Sequence, residues 1–190
     1  MLAIALIPTV KAVQTFFTAT INPTSAYLDQ TQDYLMTITN DPQTSSEVTL
    51  GSVEITVPSG FTGTTIMLVW SPQHPTGWQK DPLSLTPGYE NWIGIYAASG
   101  PDQLAVGESV KVWLISTAPS SPGAYEWTTQ PWNTDHYTGI PFNTIGPQPT
   151  VLVFPAVTTV VGTVTYTLPA IITTIETTIE VPTTIETTIE

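Results

Sequence analysis

Residues 32–57 read QDYLMTITNDPQTSSEVTLGSVEITV, and this stretch decides the fold class. Two runs dense in β-branched and apolar residues, 32–39 and 48–57, flank Asn40-Asp41-Pro42. Those three residues have the chemistry of a turn and not of an element interior. Working outward, the same alternation of strand-like run and turn cluster continues. Further strands are expected over residues 13–21, 64–70, 91–97, 109–117, 124–130 and 150–154. Between them lie Asn22-Pro23, Pro58-Ser59-Gly60, Pro87-Gly88 and Pro122-Gly123. Eighteen prolines suit loops and strand edges, and no stretch carries the caps and period of a helix. So many short strands within residues 13–155 fit an all-β, two-sheet sandwich whose inner faces bury alternate side chains.

Composition narrows the function classes. The chain has 190 residues, 41% of them hydrophobic, so a sizeable core is available. Charged residues are only 9%, against about 25% in an average soluble domain. Lys11, Lys80 and Lys111 are the only cationic residues against 15 acidic ones, for a net charge of −12. Such a chain has no surface for nucleic-acid phosphates or an anionic bilayer. With no cysteine, disulfides and thiolate metal sites are excluded. Few ionisable groups also mean few ion pairs to lose in acid, which suits an acidic extracellular medium. The main acidic groups of the body, such as Asp29, Asp33, Glu47 and Glu108, are expected to face solvent. An ordinary low-charge β-protein is the alternative.

At the front, the apolar run of residues 2–7 precedes Val10-Lys11-Ala12. This resembles the end of a secretory signal peptide cut after Ala12, so residues 1–12 are expected to be its remnant. The alternative is an edge strand. No stretch reaches the ~20 apolar residues of a membrane helix.

Two stretches carry a family resemblance. DYLMTITNDP at 33–42 leads to LGSVEITVPSGF at 50–61, and LAVGESVKVWLISTAPSSPGAYEWTT follows at 104–129. Together they resemble the immunoglobulin-like sandwich domains of archaeal cell-surface proteins. The resemblance implies a fold with a tyrosine corner at Gly123-Ala124-Tyr125. The cysteine pair of antibody domains is missing.

Beyond residue 155 the composition shifts to Thr, Val and Ile. The string TTIETTIE occurs at 173–180 and again at 183–190. Read with a period of two, Thr173, Ile175, Thr177 and Ile179 share one face, and Thr174, Glu176, Thr178 and Glu180 the other. Residues 156–190 are therefore expected to form an extended stalk or strand-exchange tail. A helix would also stack Ile175 on Ile179, but Thr and Ile propensities and Pro182 oppose it. Similarity to the pilus-like threads of archaeal surfaces implies a secreted, head-to-tail homopolymer in which a strand of one subunit completes the next subunit's sheet. Ile175, Ile179, Ile185 and Ile189 would be its anchors. A stalked carbohydrate-binding or adhesion module, and a spike or turret of an archaeal virus, are the alternatives.

No catalytic residue, cofactor or metal site is expected. His74 and His136 are the only imidazoles, and with Asp81 or Asp135 they could hold a metal only if two loops met. Asp81 and Glu90 flank one loop as a conceivable carboxylate pair. Of the six tryptophans, Trp70, Trp113 and Trp127 fall in expected strands and are assigned to the core. Trp78, Trp132 and Tyr137 fall in expected loops and form a possible glycan platform. No asparagine begins an N-x-S/T sequon.

Overall fold

A computed structural model describes residues 13–156, 163–168 and 171–176. The signal-like residues 1–12 lie outside them. Within the described residues fourteen strands run in chain order: β1 Phe16–Asn22, β2 Ser25–Tyr27, β3 Thr31–Asn40, β4 Ser52–Thr56, β5 Thr62–Trp70, β6 Trp78–Lys80 and β7 Trp92–Ala97, then β8 Ser109–Thr117, β9 Gly123–Glu126, β10 Thr128–Trp132, β11 Asn143–Thr144, β12 Thr150–Phe154, β13 Thr163–Leu168 and β14 Ile171–Glu176. Among the described residues the one helical element is a 3-10 turn at Gly100–Asp102.

Alternation sorts these strands into faces. On β3, Tyr34, Met36 and Ile38 are fully buried, while Leu35, Thr37 and Thr39 between and beside them are half-exposed. Val110, Val112 and Leu114 do the same on β8. The first sheet has the order β11-β1-β3-β8-β5 and the second β10-β4-β7-β6. The second contributes Val53, Ile55, Ile93 and Ile95, all at 0% exposure. A small third sheet, β2-β12-β9, adds buried Ala26, Val151 and Val153. Each large aliphatic side chain in this core contributes roughly 1.5–3 kcal/mol by leaving water. The expected immunoglobulin-like sandwich is the architecture found, its two main sheets joined by the small third one.

The run 124–130, expected as one strand, is two. β9 pairs with β12 in the third sheet, and β10 pairs with β4 in the second. The chain changes sheet at Trp127, whose backbone N–H donates to the Pro149 carbonyl at 2.8 Å. Its indole fills the core against Phe61 (5.1 Å between centroids) and Tyr34 (6.0 Å). The Tyr125 hydroxyl donates to the Ser121 carbonyl at 2.9 Å, forming the tyrosine corner.

The chain divides into two compact units, the first ending at Phe154 and the second beginning at Pro155. In the second, β13 pairs antiparallel with β14, from Thr163 opposite Glu176 to Leu168 opposite Ile171. That register sets Ile175 of the first repeat opposite Val164, and Thr173 opposite Tyr166. The start of the tail is thus strand, as its β-branched composition leads one to expect. Ile179, Ile185 and Ile189 lie outside the described residues.

Candidate functional site

The outer faces of the two sheets present the chemistry that the core does not use. On the second sheet, the outward positions of β7 are Trp92, Gly94 and Tyr96, because Ile93, Ile95 and Ala97 point inward. Glu54 of β4 lies opposite Gly94. Its two carboxylate oxygens each accept an indole N–H, from Trp92 at 3.2 Å and from Trp132 at 2.9 Å. One carboxylate thus fixes two tryptophans, on the two strands that flank β4.

The loop of residues 133–140 folds over this face. Ser52 Oγ donates to the Thr134 carbonyl at 2.6 Å and accepts the Tyr137 N–H at 3.0 Å. Tyr137 stands edge-on to Trp92 at 5.4 Å, and its hydroxyl donates to Asp81 Oδ2 at 3.3 Å. A Cβ on Gly94 would collide with the Tyr137 hydroxyl and the Trp92 ring, so only glycine admits this packing. Tyr137 is held at a φ of 53°, in the left-handed region that a bulky residue seldom adopts. Burial, followed by the Asp81 carboxylate, pushes its phenol well above the ordinary range.

Next to this cluster, Thr56, Gly88, Tyr89, Glu90, Asn91 and Trp92 line a shallow cleft of about 350 Å³. Tyr89 tilts against Trp92 at 5.6 Å. Glu90 Oε1 accepts the Gly88 N–H at 2.9 Å, and this bond holds its carboxyl below the usual range.

The first sheet's outer face carries exposed apolar side chains. Leu35 of β3, Trp113 of β8 and Leu68 of β5 stand in register across three strands. Trp113 is 39% exposed and Leu68 49%. Trp113 donates its indole N–H to Asp33 at 3.0 Å. β5 ends this sheet, and among the described residues no strand pairs with its outer edge. A register shift between Ile66 and Leu68 leaves Met67 48% exposed on that edge. Lys111 lies opposite Trp70 of β5, and Lys80 sits on β6, which runs beside β5.

Several expectations change. Trp78 is buried at 4% exposure, its indole N–H donating to the Asp102 carbonyl at 2.9 Å. It therefore cannot join an exposed platform. Trp132 and Tyr137 do gather on one face, linked through Trp92 and Glu54. Of the three tryptophans assigned to the core, only Trp127 is there; Trp113 faces out and Trp70 is half-buried. The physical reason is the period of two: Val112 and Leu114 take the inward positions of β8, so Trp113 cannot.

The two histidines pair with different carboxylates, His74 with Glu108 and His136 with Asp135, each at 3.1 Å. Among the described residues no group of three His, Asp or Glu could share a metal. Asp81 and Glu90 each bind a backbone N–H of their own loop, at Leu83 and Gly88. Among the described residues no helix is long and apolar enough to cross a membrane.

No protein-family profile matches the sequence, and no curated protein matches it. Solved structures resemble its fold. An uncharacterized protein of Nocardia farcinica with an immunoglobulin-like fold gives a TM-score of 0.49 at 13% identity, over 72% of this chain and 97% of that one. BslA, a bacterial hydrophobin, gives 0.48 at 18% identity over 78% and 100%. A non-cellulosomal cohesin of the archaeon Archaeoglobus fulgidus gives 0.42 at 11% identity over 74% and 91%. These likenesses concern the arrangement of strands; what those proteins bind stays with them.

Proposed function

We propose that this chain is an extracellular structural subunit that assembles head to tail, the Thr/Ile/Glu tail of one copy adding a strand to β5 of the next. The observation that carries this reading is the outer edge of β5. It is a nine-residue strand with one side unpaired among the described residues and with Met67 and Leu68 about half exposed. Such an edge offers a row of backbone N–H and C=O groups to another chain. The tail supplies the matching half, each repeat placing two isoleucines four residues apart in a β-branched pattern. Charge is complementary too. Lys80 and Lys111 are the lysines of the described body; Lys111 stands opposite Trp70 of β5 and Lys80 belongs to β6, which contacts β5, while the repeats carry Glu176, Glu180, Glu186 and Glu190.

Magnitudes favour a cooperative contact. Four buried isoleucines contribute roughly 6–12 kcal/mol, against an association cost of roughly 4–15 kcal/mol. Backbone hydrogen bonds add about 0.5–1.5 kcal/mol each. The balance is narrow enough for one anchor to decide it. Replacing Ile175, Ile179, Ile185 or Ile189 with Asp is expected to abolish assembly, whereas Glu176→Gln leaves it nearly intact. Deleting residues 169–190 is expected to leave a folded, non-assembling body by circular dichroism and light scattering. Normal filaments from the truncated chain would overturn the proposal. The stretch 13–21 offers no spare strand in its place, because β1 is already paired with β3 along its length.

A further inference from the structure

We infer that the shallow cleft lined by Tyr89, Asn91 and Trp92 is a subsite for one hexopyranose ring of a neutral glycan, independent of the assembly edge on β5. Four features converge. The aromatic wall is fixed before any ligand arrives: Trp92 is tied to Glu54 Oε1 at 3.2 Å and braced edge-on by Tyr137 at 5.4 Å. Tyr89, 45% exposed, supplies a second ring tilted 56° from the first. The C–H face of a pyranose is apolar and packs on such rings, and a wall that is already ordered loses little entropy on binding.

The polar groups around the cleft are free to be used. Thr56 Oγ1, the Asn91 side-chain amide and the Tyr89 hydroxyl have no protein hydrogen-bond partner among the described residues, and Glu90 engages only Oε1. A hydroxyl, an amide and a carboxylate oxygen together can donate to and accept from vicinal sugar hydroxyls. The cleft volume of about 350 Å³ lies at the small end of ligand sites and fits one ring of a longer chain that continues into solvent. Charge selects the class of glycan. The cleft has no cation and does have the Glu90 carboxylate, on a chain of net charge −12. A uronate or sialylated glycan would therefore be repelled, and a neutral one would not.

The full chain is titrated with cellohexaose, laminarihexaose and mannohexaose, and separately with a hexagalacturonate, following tryptophan fluorescence and calorimetric heat. Saturable binding of at least one neutral hexaose is expected, weakened about tenfold or more by Tyr89→Ala and by Asn91→Ala. Both variants change exposed loop residues, and an unchanged melting temperature verifies their fold. Trp113→Ala, on the other sheet, is expected to bind normally. Absence of binding to every neutral hexaose at about 10 mM, equal binding by Tyr89→Ala, or preference for the galacturonate would each overturn the inference. Filament formation is scored in parallel, so loss of assembly with sugar binding retained separates the two proposals.

Discussion

The two sheets bury the same kind of inner face and treat their outer faces oppositely. The second sheet's exterior holds Trp92, Trp132 and Tyr96, yet residues 133–140 fold over it and Tyr137 seats itself on Gly94. The first sheet's exterior holds Leu35, Trp113 and Leu68 in one cross-strand row, with Trp113 and Leu68 exposed. Where the chain covers its own aromatics it ties down the Trp92 and Trp132 indoles, beside a small cleft at Tyr89. On the first sheet the apolar row continues to β5, whose outer edge no strand pairs with among the described residues. That difference is why the proposed assembly is sought on the first sheet, at β5.

The largest expected effect breaks the open side alone. Leu68→Glu places a charge on the β5 row, where the proposed incoming tail would itself be acidic. Assembly measured by light scattering or electron microscopy is expected to disappear, while stability shifts by no more than about 0.5 kcal/mol, as for an exposed substitution. A variant that assembles normally would show that β5 is not the acceptor.

A smaller effect tests the covered side. Gly94→Ala puts a methyl into the space held by the Tyr137 hydroxyl and the Trp92 ring. Overpacking of this kind costs about 1–3 kcal/mol, read as a lower urea midpoint with an unchanged slope. Assembly at room temperature is expected to persist. Wild-type stability in this variant would mean that the loop does not sit on the sheet in solution.

The smallest effect is in pH dependence, and it is asymmetric. Tyr34 and Tyr137 have phenol pKa values raised chiefly by burial. Their contribution is complete below the unfolded tyrosine pKa of about 10 and declines above it, as the unfolded chain releases protons that the folded chain retains. In acid, Glu90 and Asp135 have lowered pKa values, set first by the Gly88 N–H and by His136. Their contribution is present above about pH 4 and is lost as pH falls below it. Both are exposed, where such interactions are weak. The melting temperature is expected to change little from neutral pH to about pH 3 and to fall above about pH 10. A steep acid loss would contradict this. Glu108, expected to face solvent, is three-quarters buried at its side chain and accepts from both His74 and the Ala105 N–H.

The fold was legible where strands were long enough to show their period. β3 and β8 alternate over ten and nine residues, and both were readable to within a residue. β2 and β6 have three residues and β11 two, too few for alternation to register; they are held by their neighbours. The switch of sheet at Trp127 was hidden because residues 124–130 have strand-forming character throughout, and only the third dimension divides them. Part of the site could have been found: NWIGIYA alternates large aromatics with Ile and Ala, which places Trp92, Gly94 and Tyr96 outside together. The seating of Tyr137 on Gly94 joins distant parts of the chain through a loop without periodicity, and no local pattern announces it.

Lysine placement has a consequence for durability. Trypsin-like proteases cut after Lys or Arg, and this chain has no arginine and three lysines. Of the two in the described body, Lys111 lies within β8, hydrogen-bonded between β3 and β5, and Lys80 closes β6 against β7. A protease needs an extended segment that can leave its neighbours, which loops supply and paired strands do not. The loops of the described body, where cleavage is otherwise easiest, contain nothing such an enzyme recognises, so digestion there must wait for the sandwich itself to open.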